Sequence, residues 1–222
     1  MALFGTAISR KYLLQVIVLI AFAYFSYLMV LITIQYIPVQ FDVAFLRIKQ
    51  DEIKHFYYKI AFFTHVYTSI FVLVIGFFQF SSYIKKNYFI IHKLLGKIYV
   101  ALILFFSGPS GLIMGYHANG GTAAKISFCL LFILWMFFTY KAYAYARIRK
   151  WKEHKNYMYR SYALTLSAIS LRLFKWVIAS LFELPPMDIY IIVSWLGWIL
   201  NLLIVEGLIY YESKRSMKLS KA

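Results

Sequence analysis

Charge is scarce in this sequence. Only 14% of its 222 residues are charged, 63% are hydrophobic, and the mean hydropathy is +0.70. Globular soluble domains carry roughly 25% charged residues, so a chain this poor in charge is solvated by lipid over most of its length. Acidic residues are scarcer still. Eight stand against 24 Lys and Arg, for a formal charge of +16. Such an excess can serve nucleic acid, but these basic residues flank apolar stretches instead of lining one face of a domain. That pattern argues against a nucleic-acid partner and for contact with anionic headgroups. A single cysteine, Cys129, excludes a disulfide framework and a thiolate metal cluster. No His-Glu-x-x-His pattern, serine-nucleophile motif, phosphate loop or dinucleotide fingerprint occurs. Nor is there an internal repeat of the kind common in carriers.

What the chain does contain is six apolar stretches long enough to cross a bilayer core, which takes about 20 helical residues. They span residues 13–36, 58–80, 89–116, 122–140, 157–182 and 188–211. Each must be helical, because lipid offers no partner to an unpaired backbone amide. The expected fold is therefore all-α: one integral-membrane domain over residues 1–222, a polytopic bundle of six transmembrane helices. The first run is too long for a signal-peptide core and lacks a small-residue cleavage pattern, so it reads as a retained span. The segment 38–57 mixes Phe41, Phe45 and Ile48 with Asp42, Arg47 and Lys49, a pattern expected of a short amphipathic helix on the membrane surface.

Four connecting segments hold 17 of the 24 basic residues: Arg10 and Lys11; Lys85, Lys86, Lys93 and Lys97; seven between Lys141 and Arg160; and Lys214, Lys218, Lys221 and Arg215. All four fall on one side of a six-span protein. The other side has Arg47, Lys49, Lys54, Lys59 and Lys125, offset by five acids. The positive-inside rule then predicts both termini in the cytoplasm, in what reads as a bacterial cytoplasmic membrane. Tyr140, Tyr143, Tyr145 and Trp151 suit the headgroup zone on that side.

Ionisable groups inside a span are costly and mark candidate sites. His65 lies seven residues past the start of the second span, about 10 Å deep at the helical rise. Arg172, fifteen residues into the fifth span, falls at a comparable depth, with Lys175 one turn further out. His117 ends the third span. These four form an expected outer polar cluster. On the inner side lie Gln79, His92 and His154, with Glu206 in the sixth span and Asn201 deeper; Arg172 and Glu206 differ in depth and are not expected to pair. In the third span Ser107-Gly108-Pro109-Ser110-Gly111 predicts a kink and close packing. Each histidine also has a bland reading, as an interfacial or hydrogen-bonded side chain.

Several motifs occur in a familiar order: Phe63-Thr64-His65; Gly76-Phe77-Phe78-Gln79-Phe80; His92-Lys93-Leu94-Leu95-Gly96-Lys97; Gly120-Gly121; His154-Lys155-Asn156-Tyr157-Met158-Tyr159-Arg160; and Leu171-Arg172. The series resembles the bacterial membrane-protein family labelled domain of unknown function 2306, with a family-like core at about residues 60–176. Tyr159 stands where the pattern has an apolar residue. The resemblance implies a membrane protein and no particular activity.

Three function classes follow from the residues. A b-type haem (haem b) carrying electrons across the membrane needs two imidazoles at one depth on facing helices. His92 and His154 meet that condition on the inside, and His65 with His117 approach it outside. Arg172, Lys175 and Arg160 are candidate propionate partners. A histidine–carboxylate zinc site is disfavoured, since Glu206 is far in depth from His65. The alternative is a small transporter, or a non-enzymatic scaffold packing against a protein partner or a second copy, with Arg172 binding an anionic ligand or lipid.

Overall fold

The computed structural model describes residues 10–219, with side chains from 12 to 217. Nine α-helices follow one another with no strand among the described residues: α1 (Arg10–Ile34), α2 (Phe56–Gln79), α3 (Ser82–Asn87), α4 (Phe89–Ala101), α5 (Gly108–Tyr116), α6 (Gly121–Arg147), α7 (Trp151–Thr165), α8 (Ser167–Leu181) and α9 (Pro186–Leu219). Five helical stretches are long and apolar enough to cross a membrane: Tyr12–Ile34, Phe56–Gln79, Phe89–Tyr116, Gly121–Arg147 and Pro186–Met217. The pair α7 and α8, bent by 42°, makes a sixth. The bundle thus has a basic end, with the turns after α2 and α6, and an opposite end formed by residues 35–55, 117–120 and 182–185.

Three spans run past the hydropathy reading. α9 continues eight residues beyond Tyr211. α6 continues seven residues beyond Tyr140, and α7 begins at Trp151, six before Tyr157. Hydropathy falls there because Lys and Arg enter, yet the backbone stays helical. The connection shrinks to residues 148–150, where Arg149 takes a positive φ of 58°. Stacking of Tyr145 on Tyr157, centroids 5.3 Å apart, holds this hairpin together. The segment 38–57 is not a surface-lying helix either. It forms two short 3-10 turns, Ala44–Ile48 and Glu52–Lys54, with Leu46 and Ile53 buried against Tyr36, Tyr58 and Phe62. Of the apolar residues of the expected pattern, Phe41 and Ile48 stay exposed, and burial of Leu46 and Ile53 instead folds the segment into a cap.

Breaks in the spans have identifiable causes. Pro109 lacks an amide hydrogen and its ring crowds the preceding turn, and a π-helical turn over Leu102–Ser107 accommodates it. Carbonyls there take side-chain donors: Phe106 O from Ser110 Oγ at 2.5 Å, and Ser107 O from His65 Nδ1 at 2.9 Å. In the fifth span, hydroxyls bond back onto the helix beside Leu166, Thr165 Oγ1 to Ser161 O at 3.2 Å and Ser167 Oγ to Leu164 O at 2.5 Å. Such back-bonding bends helices. Asn201 of α9 bridges the bend, donating from Nδ2 to Ala163 O and accepting at Oδ1 from Ser170 Oγ, each at 3.0 Å.

At the centre, Tyr99 is fully buried. Its hydroxyl lies 2.9 Å from Ser161 Oγ and 3.0 Å from Thr165 Oγ1. Trp135 Nε1 donates to Thr165 Oγ1 at 3.0 Å, and Thr139 Oγ1 meets Ser161 Oγ at 2.7 Å. This network ties α4, α6 and α7 together. α2 closes over it because Gly76 has no side chain: a Cβ there would stand 2.5 Å from Tyr162 Cε2 and 2.8 Å from Tyr99 Cε2. Gly76→Ala is therefore expected to lower stability by about 1–3 kcal/mol through overpacking. Gly207→Ala, inside α9 with nothing within 4 Å, should not lower it and should raise it by up to about 1 kcal/mol. Thermal unfolding of both variants in one detergent checks the pair.

Candidate functional site

Between α1, α2, α6, α8 and α9 lies a cavity of about 550 Å³. Most of its wall is apolar, with Phe62, Leu73, Phe132 and Leu171 among the lining side chains. His65 and Arg172 also line it, and Lys175 stands at its edge. His65 is nine residues into α2 and Arg172 nine residues from the end of α8, so each sits roughly 14 Å along its axis from the opposite end of the bundle. The depth match read from the sequence brings these two residues to one space.

Their environments differ. His65 is satisfied on one side: Nδ1 lies 2.9 Å from Ser107 O, and Phe132 meets the ring edge-to-face at 5.3 Å. Since a carbonyl only accepts, Nδ1 carries the proton and Nε2 keeps its lone pair. Arg172 donates from one nitrogen to Ala168 O at 2.7 Å, a carbonyl of its own helix. Among the described residues no carboxylate pairs with it. Four of the five N–H donors of a guanidinium thus have no hydrogen-bond partner in the described residues, and the side chain is exposed on the cavity it lines.

His117 does not join them. It ends α5 at the opposite end of the bundle, where Nε2 lies 3.0 Å from the Tyr57 hydroxyl and its carbonyl accepts from Lys49 Nζ. Lys49 is almost wholly buried, at 1% exposure, and pairs with Glu52 at 2.8 Å. The sequence places Lys49 among the polar residues of the amphipathic segment 38–57, and nothing in the local pattern sets it apart from Lys54. Burial pushes the Glu52 carboxyl up, but the Lys49 hydrogen bond and charge bring it below its ordinary value overall. Burial pushes the His117 imidazole down, so it is neutral at pH 7.

At the basic end stand His92, near the start of α4, and His154, near the start of α7. His154 Nδ1 is 2.8 Å from Ala142 O, so Nδ1 is the donor to that carbonyl and Nε2 is the nitrogen left facing outward from the bond. The Gln79 amide, with its nitrogen toward His92, donates to His92 O and Nδ1 at 3.3 Å each while its oxygen accepts from Gly96 N at 3.2 Å. Arg160 is engaged by Glu206 in a bidentate pair, 2.5 and 2.8 Å, and Lys155 by Glu212 at 2.7 Å. Phe132 and Ala142, the α6 partners of His65 and His154, are ten residues apart, about 15 Å along the helix. The two levels are separate sites. Among the described residues no three His, Cys, Asp or Glu side chains converge as metal ligands.

Compared with known families, the chain matches the one described as "Predicted membrane protein (DUF2306)" over residues 62–209, and it belongs to that family. The motifs quoted above end at Arg172, whereas the match runs on through most of α9; α1 lies outside it. No curated protein and no solved structure matches the chain.

The cap formed by Lys49, Glu52 and His117 gives a pH dependence with a definite sign. Both titrating groups have lowered folded values, so the stability they contribute is complete above their unfolded values, 6.5 and 4.5. It is lost as pH falls, first through protonation of His117 and then of Glu52. Thermal unfolding followed from pH 7.5 to 3 should decline in those two steps, the first beginning below 6.5 and the second below 4.5, and His117→Gln should flatten the first while leaving the second.

Proposed function

From membership of this family and the geometry of the cavity, we propose that the protein binds an amphiphile with an anionic head inside the membrane. The head, a carboxylate or a phosphate, sits on Arg172, and the apolar part fills the cavity between α2, α6 and α8. The protein acts as a binding or carrier protein for that molecule.

One observation carries this reading: a guanidinium without an acidic partner among the described residues, exposed on a largely apolar cavity. An arginine near the middle of a span costs several kcal/mol unless an anion or water compensates it. Carboxylate and phosphate both match the guanidinium fork. A volume of about 550 Å³ falls in the range of sites that take small ligands, roughly 300–1,000 Å³. His65 adds a second polar contact. With Nδ1 committed to Ser107 O, its Nε2 offers a lone pair to a ligand hydroxyl.

The test is ligand-dependent thermal stabilisation in a non-ionic detergent, using oleate, phosphatidylglycerol and uncharged monoolein. A ligand at 100 times its Kd stabilises by about 2.7 kcal/mol. Oleate or phosphatidylglycerol should raise the unfolding temperature of the wild type, Arg172→Ala should abolish the rise, and Arg172→Lys should keep part of it. Whichever of the two acts identifies the head as carboxylate or phosphate. An equal rise with monoolein, or one that survives Arg172→Ala, overturns the reading.

A second reading is favoured by His154. Its Nδ1 on a backbone carbonyl is the arrangement that orients a ligating imidazole and leaves Nε2 for a metal. On that reading His154 and His92 hold haem b at the basic end, and the haem would supply one-electron transfer toward the other side of the membrane. His92 would first have to release the Gln79 amide. Arg160, bound to Glu206, is not available for a propionate. His65 and His117 do not fit a second haem, because only His65 lines the cavity. Purified from haem-replete cells, the protein should then show a Soret band that His154→Ala removes. A colourless preparation leaves only the amphiphile.

A further inference from the structure

A crevice of about 620 Å³ opens between the end of α8 and the start of α9, lined by Ala179, Phe182, Leu184 and Ile189. Two residues line both this crevice and the Arg172 cavity: Lys175 and Pro186. The two spaces are therefore neighbours across a Lys–Pro rim. Lys175 is three residues beyond Arg172 on α8, roughly 4.5 Å along the axis at the helical rise. Ala168, whose carbonyl holds Arg172, is four residues deeper on the same face and lines the cavity. Lys175 also has no carboxylate partner among the described residues. Two free cations thus stand in sequence from the crevice inward. Glu183 also lines the crevice, on the side of the 182–185 turn.

We infer that this crevice is the mouth of the cavity, and that an anionic head meets Lys175 first and passes over the Lys175–Pro186 rim to Arg172. The inference rests on the amphiphile reading for the identity of the cargo, but not for the route. A mouth between two helices at the end of a span admits a ligand sideways from the bilayer as well as from water. The apolar tail then need not leave lipid while the head moves from one cation to the next. Like-signed groups along a cleft raise the local concentration of an oppositely charged ligand and speed its arrival, in a salt-dependent way.

The route is testable without the natural ligand. In a Cys129→Ser background, Ala168→Cys places a thiol beyond Arg172 as seen from the crevice. The full-length protein in nanodiscs is treated with methanethiosulfonates bearing either a sulfonate or an ammonium group. The sulfonate should react faster on the order of tenfold, and Lys175→Gln should reduce that preference several-fold. Ala179→Trp fills the crevice and should slow both reagents; Leu184→Trp repeats the block from the other wall. Both positions are exposed, and unchanged thermal unfolding verifies that each variant is folded. Unchanged rates in both tryptophan variants overturn the route even if oleate still stabilises the protein through Arg172. Conversely, slowed rates with no stabilisation by any anionic amphiphile uphold the mouth and remove the proposed cargo.

Discussion

Lipid supplies no hydrogen-bond partner, so every polar group within the spans must be satisfied by the protein itself. The rest of the structure depends on that constraint. Tyr99, Ser161, Thr165, Thr139 and Trp135 satisfy one another in a single buried network. A second set, Ser127, Trp198 and the Ser194 carbonyl, joins α6 to α9 at 2.7 and 2.9 Å. Hydrogen bonds of this kind are worth modest amounts singly in membranes, about 0.6 kcal/mol on average. Their effect here is to fix which faces meet, because a rotated helix would leave several hydroxyls without partners at once. Gly76 then permits the close approach of α2 that the aromatic rings of Tyr99 and Tyr162 require.

The same constraint explains how the fifth span bends and why the cavity exists. A straight helix through α7 and α8 would continue on one axis past α9. The hydroxyls beside Leu166 and the Asn201 amide instead stabilise a 42° bend. Beyond the bend α8 leans along α9: the backbone of Leu171 lies 3.2 Å from where a Cβ on Gly197 would stand. That leaves space on the side facing α1 and α2. Arg172 follows the bend by six residues and therefore lines the space it opens.

Hydropathy alone reads the number of spans, because helices solvated by lipid must be apolar along about 20 residues. It misplaces the ends of α6 and α7, where Lys141, Arg147 and Trp151 mark the headgroup zone and the helices carry on regardless. Depth counting brings His65 and Arg172 together correctly, since the rise per residue is nearly constant in both helices. It fails for His117, because depth says nothing about azimuth: α5 turns that ring toward Tyr57 instead of the cavity. Gln79 and His92, placed on the same side by their positions, do meet. Lys49 was illegible for another reason: the His117 carbonyl that holds it in place lies in another segment and leaves no trace in local composition.

The distribution of ion pairs separates structural from ligand-seeking cations. Arg160 and Lys155 are matched by Glu206 and Glu212 on α9, and Lys49 by Glu52. With eight acidic residues for 24 basic ones, there are too few carboxylates to give most cations an acidic partner of their own. At the ends of the bundle water and headgroups neutralise them at little cost. Within a span they cannot, and there an isolated guanidinium is retained only where something outside the chain completes it. The fold already satisfies His65 through the Ser107 carbonyl, and so that residue alone carries no such implication. Arg172 does, because its own helix supplies a single carbonyl and the largely apolar cavity around it supplies no carboxylate among the described residues.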